Sequence, residues 1–200
     1  EKIQGKISQL NIPTGVQVQL TGQVEEQEQA FGDLYMLLAI GILLVYMVMA
    51  GQFESFKDPF IIMFAIPFTF AGIIWAFFAT GLTLSVTTFI GVIMLMGIVV
   101  NNGIVLVDYT KLLRKRGYGF YDAVLEGGRS RMRPVLITSF TTMLGMLPLA
   151  LSQGMGREMY SPLGVTIIGG LLVSTVVTLI IVPAIYTIIH IRSAKKSQNL

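Results

Sequence analysis

The chain has 200 residues, of which 54% are hydrophobic and only 12% are charged, whereas a soluble domain usually carries about 25% charged residues. This balance excludes an ordinary soluble domain and favours a protein that crosses a membrane several times. The absence of cysteine excludes disulfides and thiolate metal sites. The net charge of +3 does not indicate nucleic-acid binding, because the basic residues lie where membrane topology requires them.

Residues 1–31 form a polar head before the first apolar segment. Apolar residues recur at helical spacing in residues 1–10, which predicts the end of an amphipathic helix, and alternate in residues 16–20, which predicts a strand. The chain has neither an initiator methionine nor a signal-peptide pattern. We therefore expect this short α/β head to be the C-terminal end of an extracytoplasmic domain in a longer protein.

Five apolar segments follow the head, and each is predicted to be a transmembrane helix because ~20 apolar residues cross the hydrocarbon core. Their ranges are 34–50, 59–80, 86–107, 134–151 and 163–191. The predicted fold is an all-α membrane protein with a transmembrane domain over residues 32–192 and a tail over residues 193–200.

Lys and Arg residues predict the orientation of these spans. Most of them lie in the turn 51–58, in the segment 108–133 or after residue 191, and cytoplasmic loops carry an excess of basic residues. We therefore expect the head outside the plasma membrane, and the segment 108–133 and the C-terminus in the cytoplasm. Within that segment, residues 118–126 predict a short amphipathic helix on the membrane surface.

A few polar side chains interrupt the spans and are the candidates for a proton relay. Two adjacent amides in an apolar span are costly unless they have partners, and the hydroxyl groups after residue 137 are expected to lie opposite them. The primary candidates are Asn101, Asn102, Arg131 and Thr138, and the secondary candidates are Asp108, Ser139 and Thr142. Two alternatives stay open: the amides and hydroxyls only fix helix packing, or Arg131 only anchors lipid headgroups.

Other features limit what the chain does by itself. It has no P-loop for ATP hydrolysis, and we expect neither an enzyme nor a cofactor or metal site. The single histidine, His190, is expected to lie at the membrane interface. Since the acidic residues fall outside the deep parts of the spans, the carboxylate of a proton relay must come from the rest of the protein. We expect the chain alone to lack transport activity.

Several stretches together resemble the resistance-nodulation-division (RND) transporters, specifically the hydrophobe and amphiphile efflux branch. They are GIVVNNGIVLVDY at 97–109, GGRSRMRPVLITS at 127–139, GMLPLA at 145–150 and QFESFKDP at 52–59. The head residues IPTG at 12–15 and TGQ at 21–23 also fit. The resemblance covers essentially the whole chain, and the order of the motifs is specific.

This resemblance implies export of amphiphiles or drugs driven by the proton-motive force. The chain would correspond to helices 8 to 12 of a twelve-helix bundle made of two related halves. Arg131 and Thr138 match the family motif of helix 11, and Asn102 matches the family asparagine. Asn101 stands where well-studied Gram-negative drug pumps carry a lysine, so it replaces a cation with a neutral hydrogen-bonding group.

The resemblance also implies partners and leaves the substrate open. The implied partners are the remainder of the transporter with its carboxylates, a homotrimer, membrane lipid and, in a Gram-negative envelope, a periplasmic adaptor and an outer-membrane channel. Two alternative functions stay open: a non-exporting accessory subunit for secretion or envelope assembly, and a heavy-metal exporter of the same superfamily. For the second, the possible soft ligands are Met36, Met47, Met49, Met94 and Met96, although methionine in a span more often serves packing.

Overall fold

The computed structural model describes residues 23–154 and 156–198, with side chains from residue 29 to residue 190 except residue 155. The predicted helix at 1–10 and the predicted strand at 16–20 lie outside these residues. The described residues are helical with short turns. The helices are α1 (Gln23–Phe53), α2 (Lys57–Met63), α3 (Ala65–Thr80), α4 (Val86–Lys115), α5 (Phe120–Ala150) and α6 (Arg157–Gln198).

Within the described residues, four segments are long and apolar enough to cross a membrane: Gln29–Phe53, Lys57–Thr80, Val86–Lys115 and Arg157–His190. The prediction of five such spans is therefore supported only in part. Residues 134–151 coincide with the second half of α5, whose hydroxyl groups, two internal prolines and preceding arginines make it more polar than the other long helices. The chain is a multi-pass membrane protein built entirely of helices in its described part.

Two helices are longer than hydropathy predicts. α4 continues from the apolar segment through Asp108 to Lys115, and α5 begins at Phe120, directly after a short turn. Gly117 lies in that turn with φ of 91°, a conformation that favours glycine. The predicted surface helix at 118–126 is therefore not a separate element. It is the first part of α5.

One predicted span is interrupted. Pro67 lacks a backbone N–H, so the carbonyl of Met63 has no partner four residues ahead. The chain accordingly breaks at Phe64, between α2 and α3. This break turns α2 into a short helix whose N-terminal turn carries Asp58.

α6 is the centre of the fold and packs against α3, α4 and α5. Fully buried apolar side chains form the core, including Ile61 from α2, Leu95 and Leu106 from α4, and Ile167 and Leu171 from α6. α1 contacts α4 and α2 but is otherwise exposed. Only 6% of its most apolar 18-residue stretch is buried. The turns after α1 and α4 and the C-terminal part of α6 lie at one end of the bundle, which we call the basic end.

Candidate functional site

The two adjacent amides of α4 lie in different environments. Asn102 is 8% exposed, whereas Asn101 is exposed, because neighbouring residues point about 100° apart around a helix. Neither amide forms a hydrogen bond with another described residue. Asn101 therefore presents a polar group on the outer surface of α4, in a mostly apolar span.

Arg131 lies on α5 against α4. Its guanidinium group stacks 4.4 Å from the centre of the Tyr109 ring, a cation–π contact worth about 0.5–2 kcal/mol. Its Nε atom is buried and has no hydrogen-bond partner among the described residues. The side chain is thus positioned by packing, while part of its hydrogen-bonding capacity stays unused.

The hydroxyl groups of α5 divide into two faces. Ser139 is buried and shares a hydrogen bond of 2.8 Å with Thr175 of α6, so it joins two helices. Thr138 is exposed, and its hydroxyl donates to the carbonyl of Val135 at 3.0 Å. Thr142 donates to the carbonyl of Thr138 at 2.8 Å. Ser139 therefore links α5 to α6, whereas Thr138 faces away from the described helices.

The register of α4 and α5 places the predicted residues at the same depth. The helices are antiparallel, and Tyr109 lies against Arg131. Asn102 and Thr138 are each seven residues further into the bundle, about 10.5 Å along each axis. The predicted opposition of amides and hydroxyls thus agrees with the register, but no hydrogen bond joins the two groups within the described residues.

Asp108 is exposed on α4 and lines a cavity of about 720 Å³ at the basic end. It lies two helical turns from Asn101 on the same face of α4. No described ion pair includes its carboxylate. Asp108 therefore lies at the water-accessible end of the α4 face that carries Asn101.

The same cavity holds a charged cluster that the sequence did not predict. Asp58 is only 1% exposed, and its Oδ2 atom lies 2.5 Å from Nζ of Lys111. The Lys111 ammonium also donates to the carbonyl of Phe53 at 3.1 Å. A buried carboxylate is very costly without a counter-charge, so Lys111 holds α4 to the end of α1 and the start of α2.

His190 completes this cluster from α6. Its Nε2 atom lies 3.6 Å from Oδ1 of Asp58, and its ring stacks on Tyr186 with centroids 4.1 Å apart. The Phe120 ring of α5 also stacks on His190, with centroids 6.3 Å apart. With the Phe53 ring of α1 next to Lys111, five helices contribute side chains to one charged and aromatic site at the basic end.

Sequence reasoning missed this cluster because its members looked like span boundaries. Asp58 precedes a proline at the start of a span, and Lys111 lies beyond the predicted end of another at residue 107. One signal could have placed Lys111 on a helix, since it follows Asp108 by three residues, about one helical turn, and α4 continues to Lys115. Pairing Lys111 with Asp58, however, depends on a tertiary contact between residues 53 positions apart.

The five candidate methionines are divided between the core, which holds Met49 and Met96, and the exposed surface. Met49 is in the core, whereas Met36, Met47 and Met94 are exposed. Among the described residues there is also no group of three or more His, Cys, Asp or Glu side chains that could hold a metal ion. Whether the methionines act as soft ligands stays a prediction.

Comparison with known proteins shows strong similarity over almost the whole chain. The model of the AcrB/AcrD/AcrF family matches residues 1–190. The cobalt-zinc-cadmium resistance protein CzcA of Cupriavidus metallidurans is 35% identical over 183 residues, which are 92% of this chain and 17% of that protein. The swarming motility protein SwrC of Bacillus subtilis is 38% identical over 188 residues, 94% of this chain and 18% of that protein.

Solved structures give the same result for the fold. A crystal structure of a heavy metal efflux pump aligns with a TM-score of 0.79 and 32% identity, covering 94% of this chain and 19% of that chain. A second crystal form of a heavy metal efflux pump aligns with a TM-score of 0.75 at the same identity. The chain spans less than a fifth of the length of these relatives.

Proposed function

Because this chain belongs to the AcrB/AcrD/AcrF family of the RND superfamily, we propose that it is part of a proton-driven efflux transporter and carries one side of the transmembrane proton relay. The rest of the transporter would supply the other side, including the carboxylates. In this proposal residues 134–151 are also a span, giving five, with the C-terminus in the cytoplasm and the protein in a plasma membrane.

The observation that carries the proposal is the polar outer face of α4 and α5. Asn101 and Thr138 are exposed at matching depth, next to an apolar surface that includes Ile137 and Phe140. Polar groups in a membrane span are expensive when they face lipid. This face is therefore expected to pack against further helices that carry polar or acidic groups.

Each residue has a distinct proposed role. Asn101 donates a hydrogen bond to a carboxylate of the missing helices, and Thr138 supports a chain of water molecules. Arg131 lies nearer the basic end and provides a fixed positive charge for proton exchange with the aqueous side, where Asp108 is exposed. Asn102 and Ser139 hold the geometry of the two helices from their buried positions.

The cargo is a separate question with two candidates. Amphiphile export follows from the sequence resemblance, whereas heavy-metal export is favoured by the names of CzcA and of the aligned efflux pump structures. SwrC is named for swarming motility, which supports neither cargo directly. Since the chain spans less than a fifth of the length of these relatives, we place cargo selection outside these helices for either candidate.

The proposal is tested by efflux from cells that produce the full-length protein. Arg131→Ala and Thr138→Ala are compared with the wild type at matched expression, with a fluorescent amphiphile for one cargo and growth in Zn²⁺, Co²⁺ or Cd²⁺ for the other. We expect each variant to lose efflux of the transported cargo by about tenfold or more, because each removes a group that supports proton transfer.

Two matched controls separate a relay from general damage. Thr80→Ala removes an exposed hydroxyl that, like Thr142, bonds a backbone carbonyl four residues earlier at 2.8 Å, and Arg157→Ala removes an exposed arginine at the other end of the bundle. Both should keep wild-type efflux.

Two outcomes would contradict the proposal. Normal efflux in Arg131→Ala and Thr138→Ala would mean that the outer face of α4 and α5 is only a packing surface. A wild type that exports neither cargo would refute the efflux function.

A further inference from the structure

The buried carboxylate of Asp58 has one satisfied oxygen and one unsatisfied oxygen. Oδ2 pairs with Lys111, whereas Oδ1 is buried and has no hydrogen-bond partner among the described residues. Nε2 of His190 lies 3.6 Å from Oδ1. This distance is too long for a hydrogen bond but short enough for an ion pair.

The hydrogen bond of the other ring nitrogen, Nδ1, determines which tautomer the neutral His190 ring adopts. Nδ1 lies 3.0 Å from the backbone carbonyl oxygen of Tyr186, and a carbonyl oxygen only accepts, so Nδ1 must donate. In the neutral ring, Nε2 then presents a lone pair to the carboxylate. Only the protonated ring donates at both nitrogens, and a histidine exchanges its proton within the physiological pH range.

We propose that Asp58 and His190 form a proton-operated latch at the basic end of the bundle. When His190 takes up a proton from solution, Nε2–H donates to Oδ1 of Asp58 and fastens the end of α6 to α2. When the proton leaves, the lone pair and the carboxylate repel each other and the end of α6 is released from α2. Lys111 keeps Asp58 fixed to α1 and α4 in both states.

The surroundings of His190 are compatible with this exchange. The cavity of about 720 Å³ is lined by both Asp58 and His190, and the His190 side chain, which is 22% exposed, meets water there while Asp58 stays buried. The charged and titratable groups facing the cavity are Glu54 from the α1–α2 turn, Asp58 from α2, Asp108, Lys111, Arg114 and Lys115 from α4, and Tyr186 from α6. α5 contributes the neutral ring of Phe120, over which Arg114 lies at 5.0 Å. Acidic and basic groups thus balance, and Asp58 is the acidic group in direct contact with His190.

The latch is independent of the proposed relay, because neither Asp58 nor His190 is a relay residue. It predicts a change in the distance between the α1–α2 turn and α6, which is measured without any transport assay. We would replace Phe56 and Ile188 with cysteine in the full-length protein, since both are exposed, one in the α1–α2 turn and one on α6. Spin labels at these sites report the distance between the two elements by double electron–electron resonance. The measurement is made at about pH 5.5 and about pH 8, on either side of ordinary histidine titration.

In the wild-type background we expect a shorter and narrower distance distribution at the lower pH. His190→Gln replaces the ring with an amide that can donate but does not titrate, and Asp58→Asn removes the negative charge of the acceptor. Each variant should therefore give the same distance distribution at both pH values. Asp33→Asn, an exposed aspartate at the other end of α1, should keep the wild-type response. Circular dichroism and thermal unfolding confirm that each variant is folded.

Three results would overturn the latch. The first is a wild-type distribution that does not change with pH. The second is a pH response that persists in His190→Gln, which would assign the change to another group. The third is a response that is lost in His190→Gln but retained in Asp58→Asn, which would separate His190 from its proposed partner.

Discussion

At the scale of single residues, Lys111 connects more of the fold than any predicted site residue. Its ammonium group binds the Asp58 carboxylate and the Phe53 carbonyl, and it lies 4.9 Å from the centre of the Phe53 ring. Lys111→Met should lower the free energy of unfolding by about 2–4 kcal/mol, because it leaves the Asp58 charge buried without its counter-ion. Denaturant unfolding of the purified protein in detergent measures this loss.

A double variant tests the reason for that loss. Asp58→Leu together with Lys111→Met removes both charges, so it should recover a large part of the stability lost in the single variant. Lys115→Met, at an exposed position in the last turn of the same helix, should change stability by less than about 0.5 kcal/mol. Equal stability of wild type and Lys111→Met would show that the ion pair contributes little.

The sequence predicted residue environments only where local patterns determine them. The amide pair was recognised because two polar side chains interrupt an apolar run, and the structure places Asn102 inside and Asn101 outside. Whether these candidates carry protons stays a prediction. The Asp58 cluster was not predicted because its partners come from α4 and α6, and sequence separation gives no sign of that contact.

At the scale of helices, α3 and α6 cross at glycines. A Cβ atom on Gly72 would lie 2.5 Å from the carbonyl oxygen of Gly169, and a Cβ atom on Gly169 would collide with Cβ of Ala76. Small residues allow such close approach of membrane helices. Gly169→Ala should therefore force the helices apart and destabilise the protein by about 1–3 kcal/mol, measured as a lower midpoint of thermal unfolding in detergent.

A glycine in open space provides the comparison. Gly128 on α5 has nothing within 4 Å of an added Cβ atom, so Gly128→Ala should be neutral or stabilising by about 0.5–1 kcal/mol through helix propensity. Equal effects of the two substitutions would contradict the close crossing of α3 and α6.

Helix positions followed from hydropathy more closely than helix ends did. The apolar stretches lie in helices, but α4 and α5 extend through charged residues up to the turn at 116–119. Hydropathy identifies the part of a helix that is apolar enough to lie in the hydrocarbon core. Helical backbone hydrogen bonds continue beyond that part, through charged residues, until a turn ends the helix. The same distinction explains the break at Phe64, which Pro67 imposes inside a continuous apolar stretch.

At the scale of the whole molecule, the chain presents large apolar and polar surfaces that the described helices do not cover. α1 is exposed along most of its length, and Asn101 and Thr138 face outward together. The relatives are more than five times longer than the matched region. Residues 1–200 in liposomes are therefore expected to show no proton-coupled transport, and transport by this chain alone would refute the proposed need for acidic groups from the rest of the protein.

The central claim is that the face of α4 and α5 carries protons, and proton flux is its most direct measure. The full-length protein and its Arg131→Ala variant are reconstituted in liposomes with a pH-sensitive dye inside and a proton gradient across the membrane. Addition of the transported cargo should speed the collapse of the gradient with the wild type and have no effect with Arg131→Ala, while Arg157→Ala behaves as the wild type. Cargo-dependent proton flux of wild-type size in Arg131→Ala would contradict the account.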